Sequence, residues 1–264
     1  MMKFSNMSFK EILLQMDRKI YYYDCLGSTN DQARILAEEG AGDGSLVIAE
    51  MQNAGKGRMG RSFFSPAGSG IWMSLILKPD ILPEKASMLT LVAALAVQET
   101  MMDFHIPSGI KWPNDIVVQG KKVTGILTEM QAELGHIDYV ILGVGINVNM
   151  KDFPDALETV ATSMAQVTGK KYDRSQIVKS FLTHFDTHYQ RFIHEGNLEF
   201  LRQTYNQYLI HRNKHIHVHE IKHIWSGIST GITSEGELIV KRDDEDVFVC
   251  SGEVSIRGVY GYME

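Results

Sequence analysis

The sequence is short of cysteine: Cys25 and Cys250, far apart along the chain, are the two in 264 residues. Two isolated thiols do not make a disulfide scaffold and fit a reducing compartment. Excess positive charge is also lacking, since 26 Lys and Arg stand against 32 Asp and Glu for a formal net charge of −6. No global field favours nucleic acid or an anionic membrane, so any anion site must come from a local cluster. Long apolar runs are missing too. The most apolar window, residues 86–102, is interrupted by Gln98 and Glu99 and is short for a bilayer span, so it reads as a buried helix. The N-terminal stretch carries charges every few residues and no apolar h-region, which excludes a signal peptide. Neither an internal repeat nor a low-complexity tract is present. The rest is ordinary globular composition, 44% hydrophobic and 22% charged, enough for one large core and a small appended domain. These features predict a soluble cytoplasmic protein.

Ser28-Thr29-Asn30-Asp31-Gln32 offers an N-cap, with Thr29 and Gln32 spaced as a capping box, for a helix that runs to about Glu39 and ends at Gly40. Residues 45–50 read as a β-branched strand. Residues 51–70, rich in Gly and Ser and without a period, read as a long loop, and loops of that length are functional or mobile. A buried strand at 71–77, a helix at 83–104, a hairpin of 115–118 with 123–130 around Gln119-Gly120-Lys121, and a strand at 137–148 follow. Residues 173–208 are largely helical, and Phe181, Phe185, Tyr189 and Phe192 mark a core stripe rather than a cofactor site. Beyond Arg212 the pattern changes to short β-runs at 216–221, 226–233, 237–241, 247–250 and 254–257. The change divides the chain into a domain of residues 1–212 and a small β domain of residues 213–264.

Four segments carry chemistry. Gln52-Asn53-Ala54-Gly55-Lys56-Gly57-Arg58-Met59-Gly60-Arg61 alternates glycines with cations. Glycine lets a ligand approach the backbone, and Lys and Arg supply charge for a small anion. A solvated basic loop is the plainer alternative, while P-loop and dinucleotide spacings are absent. In Lys111-Trp112-Pro113-Asn114-Asp115, the Asn and Asp could hold a metal-bound phosphate or form an Asx-turn. In the strand after Gly120, alternation puts Lys122, Thr124 and Ile126 on one face and Val123, Gly125 and Leu127 on the other. Gly143-Val144-Gly145-Ile146-Asn147-Val148-Asn149 sets glycines in an apolar strand, either for close packing or to leave room for a ligand. Five histidines, His211, His215, His217, His219 and His223, crowd one stretch. His215, His217 and His219 share a strand face, where an exposed polar surface is a plainer reading than a metal site because no carboxylate or Cys completes a ligand set at familiar spacing.

The order and spacing of these segments resemble the catalytic domain of the biotin–protein ligases (biotin–[acetyl-CoA-carboxylase] ligases). The resemblance covers residues 20–260: Ser28-Thr29-Asn30, Gln52 with the GKGRMGR and FFSP motifs, KWPND, GKKVTGILTE, GVGINVN and Gly252-Glu253-Val254-Ser255-Ile256-Arg257. It implies an α+β fold, a mixed β-sheet flanked by helices as in class II synthetases, with a small C-terminal SH3-like β-barrel. The activity implied is ATP-dependent ligation of biotin, through biotinyl-5′-adenylate, to a lysine of a biotin carboxyl carrier protein. By the resemblance, Ser28, Thr29, Asn30, Gln52, Gly55, Lys56, Gly57, Arg58, Lys122 and Gly125 line the biotin site. Arg58 and Lys122 are its catalytic pair, reaching the carboxylate and the α-phosphate. Arg61, Phe63, Lys111, Asn114, Asp115, Asn147 and Arg257 surround ATP, with Mg²⁺ near Asp115 and no ligand directly assigned to it.

Two positions depart from the family pattern. Lys56 stands where Arg is more frequent and keeps the charge without the bidentate fork. Phe63 stands where Trp is common and keeps an aromatic face without the indole donor. Some family members carry an N-terminal DNA-binding winged helix. The short stretch before the first core strand here predicts a monofunctional enzyme with no DNA partner and no membrane association. Homodimerisation through a sheet edge is a family expectation. The rivals are a lipoate–protein ligase or octanoyltransferase of the same fold, and a non-catalytic nucleotide- or biotin-binding module; an RNA-binding Gly/Arg loop is disfavoured by the acidic net charge. GKGRMGR together with KWPND speaks for biotin.

Overall fold

The computed structural model describes residues 8–220, 223–251 and 255–258. Seven strands form the main sheet: β1 (Ile20–Leu26), β2 (Ser45–Gln52), β3 (Gly70–Leu77), β4 (Gly109–Lys111), β5 (Asp115–Val118), β6 (Lys121–Glu133) and β7 (His136–Asn147). Their order is β1-β2-β3-β7-β6-β5-β4, with β1 and β2 parallel and the other neighbours antiparallel. The helices are α1 (Phe9–Leu13), α2 (Thr29–Glu38), α3 (Met88–Asp103), α4 (Asp155–Glu158), α5 (Met164–Thr168), α6 (Arg174–Glu195) and α7 (Glu199–Tyr208).

Strand alternation assigns the two sheet faces. Val47 and Ile76 pack with Ala33, Leu36 and Ala37 of α2, whereas Leu46, Ile48 and Leu75 join the cluster that holds α3 and α6. Wedged between sheet and α6, α3 is buried from Met88 through Gln98, which explains why its sequence is apolar all round rather than amphipathic. Among the described residues no helix is long and apolar enough to cross a membrane. The aromatic stripe is core: Phe181 stacks on Phe185 and Phe185 on Tyr189, at centroid separations of 5.7 and 5.5 Å.

A second sheet has the order β11-β10-β9-β8-β12, formed by β8 (Lys214–His219), β9 (Ile224–Ile232), β10 (Leu238–Arg242), β11 (Glu245–Val249) and β12 (Ser255–Gly258). Among the described residues β12 pairs with β8 and β11 only with β10, so the expected SH3-like barrel is an open antiparallel sheet rather than a closed one. Its inner residues, including Ile216, Val218, Trp225, Leu238 and Val240, belong to the same apolar cluster as α3 and the main sheet.

Two local expectations are corrected. The capping box at the start of α2 does not form: Ser28 makes no side-chain cap, and Thr29 turns its hydroxyl away to Gln52 Oε1 at 3.0 Å. Residues 51–70 are not structureless either. Gln52 N–H donates to Ser65 O, Phe63 N–H to Gly55 O and Gly57 N–H to Arg61 O, folding the segment back on itself around a 3₁₀ turn at Arg58–Gly60. The β5–β6 turn has positive φ at both Gln119 and Gly120, as a two-residue hairpin with right-handed twist requires.

Candidate active site

The folded-back loop leans over β6 and β7, and two adjoining cavities lie beneath it. The smaller, about 40 Å³, has a polar floor. Gln52 Oε1 accepts from the N–H and hydroxyl of Thr29, and Gln52 Nε2 donates to Ser65 Oγ. Ser74 Oγ lies 2.6 Å from Asn30 Oδ1 and 2.8 Å from Thr29 Oγ1, and Asn30 Nδ2 donates to Glu129 Oε2. Thr29, Asn30 and Ser74 are buried, so this network fixes their rotamers before any ligand arrives.

The strand glycines are spaces that other side chains use. Gly125 and Gly145 face each other across β6 and β7, and a Cβ on either would come within 2.9 or 2.6 Å of the Phe63 ring. Phe63 lies on this bare patch, with Trp72 edge-on at 5.8 Å. A Cβ on Gly143 would come within 2.2 Å of Asn30 Oδ1.

Lys122 reaches the site by a route that strict alternation misassigns. Val117 pairs with Lys122 and Ile116 with Thr124, so Val123 is an extra, bulged residue. The bulge puts Val123 in the core with Ile126 and brings Lys122 to the face of Gly125, whose Cβ would lie 2.8 Å from Lys122 Nζ. Re-aiming a side chain beside a site is a common use of a bulge. Lys122 Nζ lies 2.7 Å from Asp115 Oδ1 and 5.6 Å from the Phe63 ring centroid.

The larger cavity, about 430 Å³, falls within the ~300–1,000 Å³ of small-molecule sites. Arg61, Phe63, Lys111, Asn114, Asp115 and Asn147 line it, with the apolar Phe153, Leu157, Val160 and Ala161 opposite. Asn147 donates from Nδ2 to Thr162 O, but among the described residues its buried Oδ1 has no partner and could accept from a ligand hydroxyl or amine. Arg58 Nη1 donates to Asn114 Oδ1 at 3.0 Å and Nη2 to Ser251 O at 3.1 Å, while Asn114 Nδ2 donates to Ile126 O. Arg58 and Lys122 line both cavities, as do Gly57, Phe63 and Asn114.

Of the residues singled out from sequence, Ser28, Thr29, Asn30, Gln52, Lys56, Gly57, Arg58, Lys122 and Gly125 line the smaller cavity. Gly55 lines neither; a Cβ there would meet Phe63 O at 2.5 Å, so its place is in the fold of the loop. Lys56 also reaches outward to an ion pair with Asp31. Arg257 lies on β12, and its side chain is outside the described residues. Ser74 had no motif to mark it, nor did the apolar wall from Phe153 to Ala161, while Ser65 and Glu129 lie inside the FFSP and GKKVTGILTE motifs without having been singled out as site residues. For Mg²⁺, Asp115 is the one carboxylate among the described residues lining the larger cavity, and it is engaged by Lys122. No group of three or more His, Cys, Asp or Glu able to hold a metal occurs among the described residues. The described side chains therefore do not build a Mg²⁺ site of their own, and among them that ion would be held chiefly through phosphate oxygens and water.

Two cavities that meet at a pair of cations form a site able to bring two anionic small molecules into contact. A family model described as biotin/lipoate A/B protein ligase matches residues 22–147. The bifunctional ligase/repressor BirA of Bacillus subtilis is 38% identical over 244 residues, covering 91% of this chain and 75% of that one. The biotin–[acetyl-CoA-carboxylase] ligase of Mycobacterium tuberculosis is 36% identical over 162 residues, 59% of this chain and 58% of that one. A solved biotin protein ligase from Aquifex aeolicus, in complex with biotin and ATP, superposes with a TM-score of 0.80 at 27% identity, covering 91% of this chain and 99% of that one. The chain belongs to the biotin/lipoate A/B protein ligase family, among its biotin–protein ligases.

Proposed function

We propose that this chain activates biotin with ATP as biotinyl-5′-adenylate and passes the biotinyl group to a lysine of a biotin carboxyl carrier protein. The observation that carries this reading is the wall shared by the two cavities, built from Arg58 and Lys122. Biotin would lie in the smaller cavity with its ureido ring against the Thr29–Asn30–Gln52 network and its carboxylate toward the two cations. ATP would occupy the larger cavity, its adenine toward Phe63 and the apolar wall. A carboxylate oxygen attacks the α-phosphorus and pyrophosphate leaves.

Bringing a carboxylate and a phosphate to ~4 Å costs about 4 kcal/mol at an effective dielectric of ~20, which a cation on each side offsets. Arg58 and Lys122 act as electrostatic and positioning groups, with no covalent role. The loop carrying Arg58 and Phe63 would close over the bound ligands. Closure shields the mixed anhydride from water until the acceptor lysine, as a neutral amine, attacks its carbonyl and AMP leaves. ATP–pyrophosphate exchange tests the reading. Exchange should depend on biotin and fail with lipoate in its place; exchange with lipoate and none with biotin would reverse the assignment.

A further inference from the structure

One member of the histidine stretch stands apart from the rest. His215 and His217 are exposed on β8, but His211, in the turn between α7 and β8, is 1% exposed. Its Nδ1 lies 2.9 Å from Ser229 Oγ on β9, and its Nε2 accepts from the backbone N–H of Trp112 at 3.3 Å. A backbone N–H can only donate, so Nε2 carries no proton and Nδ1–H donates to the serine. The imidazole is therefore neutral and in one tautomer. Burial, with Lys111 and Lys214 nearby, agrees, holding its pKa down at about 3.

The partners of His211 give the contact its meaning. Ser229 is fully buried in the second sheet. Trp112 stands between Lys111 and Pro113, and of the two adjoining cavities these three residues line only the larger. The Trp112 indole donates to Gly236 O, in the turn between β9 and β10, and Ile210 N–H donates to Ile110 O on β4. We infer that His211 is a positioning residue for the nucleotide side of the site, fixing against the second sheet the segment that brings Lys111, Trp112 and Pro113 to the larger cavity. The inference rests on the proposed reading of the larger cavity as the ATP site. A histidine kept only for packing could be replaced by a ring of similar volume. Phenylalanine, however, would leave the Trp112 N–H buried without its acceptor.

The test uses the full chain with His211→Phe, His211→Gln and Ser229→Ala, measuring melting temperature, biotin binding by calorimetry, and the KM for ATP in biotin-dependent pyrophosphate exchange. His211→Phe should raise the ATP KM about tenfold while biotin affinity stays within about twofold. His211→Gln, whose side-chain oxygen can accept from Trp112, should recover most of that loss, and Ser229→Ala should fall between. An unmoved ATP KM in folded His211→Phe, or equal losses for both ligands without rescue by Gln, overturns the role. If His211→Phe does not fold, an unchanged ATP KM in Ser229→Ala overturns it instead. A wild-type chain without biotin-dependent exchange would remove the functional reading itself, a result distinct from any of these.

Discussion

Gly143 has the least room for a side chain of any glycine at the smaller cavity. An alanine Cβ would stand 2.2 Å from Asn30 Oδ1, 3.0 Å from its Cγ and 3.1 Å from its Nδ2, more than ~1 Å short of ordinary contact at the oxygen. Either β7 or Asn30 must give way, and β7 is paired on both sides along the strand, to β3 and β6. Asn30 is therefore the group that moves, giving up its bonds to Ser74 and Glu129. Glu129 is exposed and turns to water, and Ser74 keeps Thr29 as a partner. The buried amide of Asn30 is left short, at ~1–3 kcal/mol for each polar group unsatisfied. A loss of about 3 kcal/mol corresponds to a fall in Tm of roughly 6–12 °C for a chain of this size. Biotin binding by calorimetry should weaken at least about tenfold, since Asn30 walls the cavity. Gly27→Ala is the control, because a Cβ there meets nothing within 4 Å. A Gly143→Ala protein that melts with the parent and binds biotin equally well would refute the account of the site's floor.

Arg58→Ala removes a cation from both cavities; adenylate formation should slow about 10²–10³-fold and the adenylate should dissociate faster, and unchanged retention in a single-turnover assay would contradict its role. Phe63→Ala bares the Gly125–Gly145 patch and should raise the ATP KM more than the biotin Kd; a change confined to biotin would move Phe63 out of the nucleotide site. His211 also gives a pH signature. Its folded pKa, about 3, lies below the unfolded value of 6.5, so between these the unfolded chain binds a proton the folded one refuses. Its contribution to stability is fully present above pH 6.5 and is lost as pH falls toward 3. Urea midpoints between pH 7 and pH 4 should therefore fall less steeply in His211→Gln, and parallel slopes would contradict this.

Elements with a strong period or a long apolar run were legible from the sequence: β2, β3 and β7, the buried α3, and the short runs of the second sheet. Gly109-Ile110-Lys111 is too short to carry a period, so β4 gave no signal, and neither did the small helices around 155–168. The Lys122 face was unreadable for a physical reason: a bulge breaks period two without any mark in residue type. The capping box failed because the helix begins one residue early: Ser28 is the N-cap and Thr29 the first helical residue, its hydroxyl donating to Gln52, 23 positions away, and accepting from Ser74. The motif segments stood out by their glycines and cations, but that Arg58 and Lys122 meet between two cavities is set by the loop's fold over β6. His211 was grouped with its neighbours because spacing says nothing about which histidine is buried.

The shared cation wall makes the two ligands thermodynamically dependent on each other. An anion in either cavity lowers the positive potential seen from the other, and by linkage the resulting loss of affinity is the same in both directions. The repulsion disappears once the carboxylate gives up its charge in the new bond to phosphorus, so relief is felt along the reaction and not at rest. A molecule spanning both cavities through an uncharged link would avoid the repulsion altogether and would gain the effective concentration of two sites held side by side.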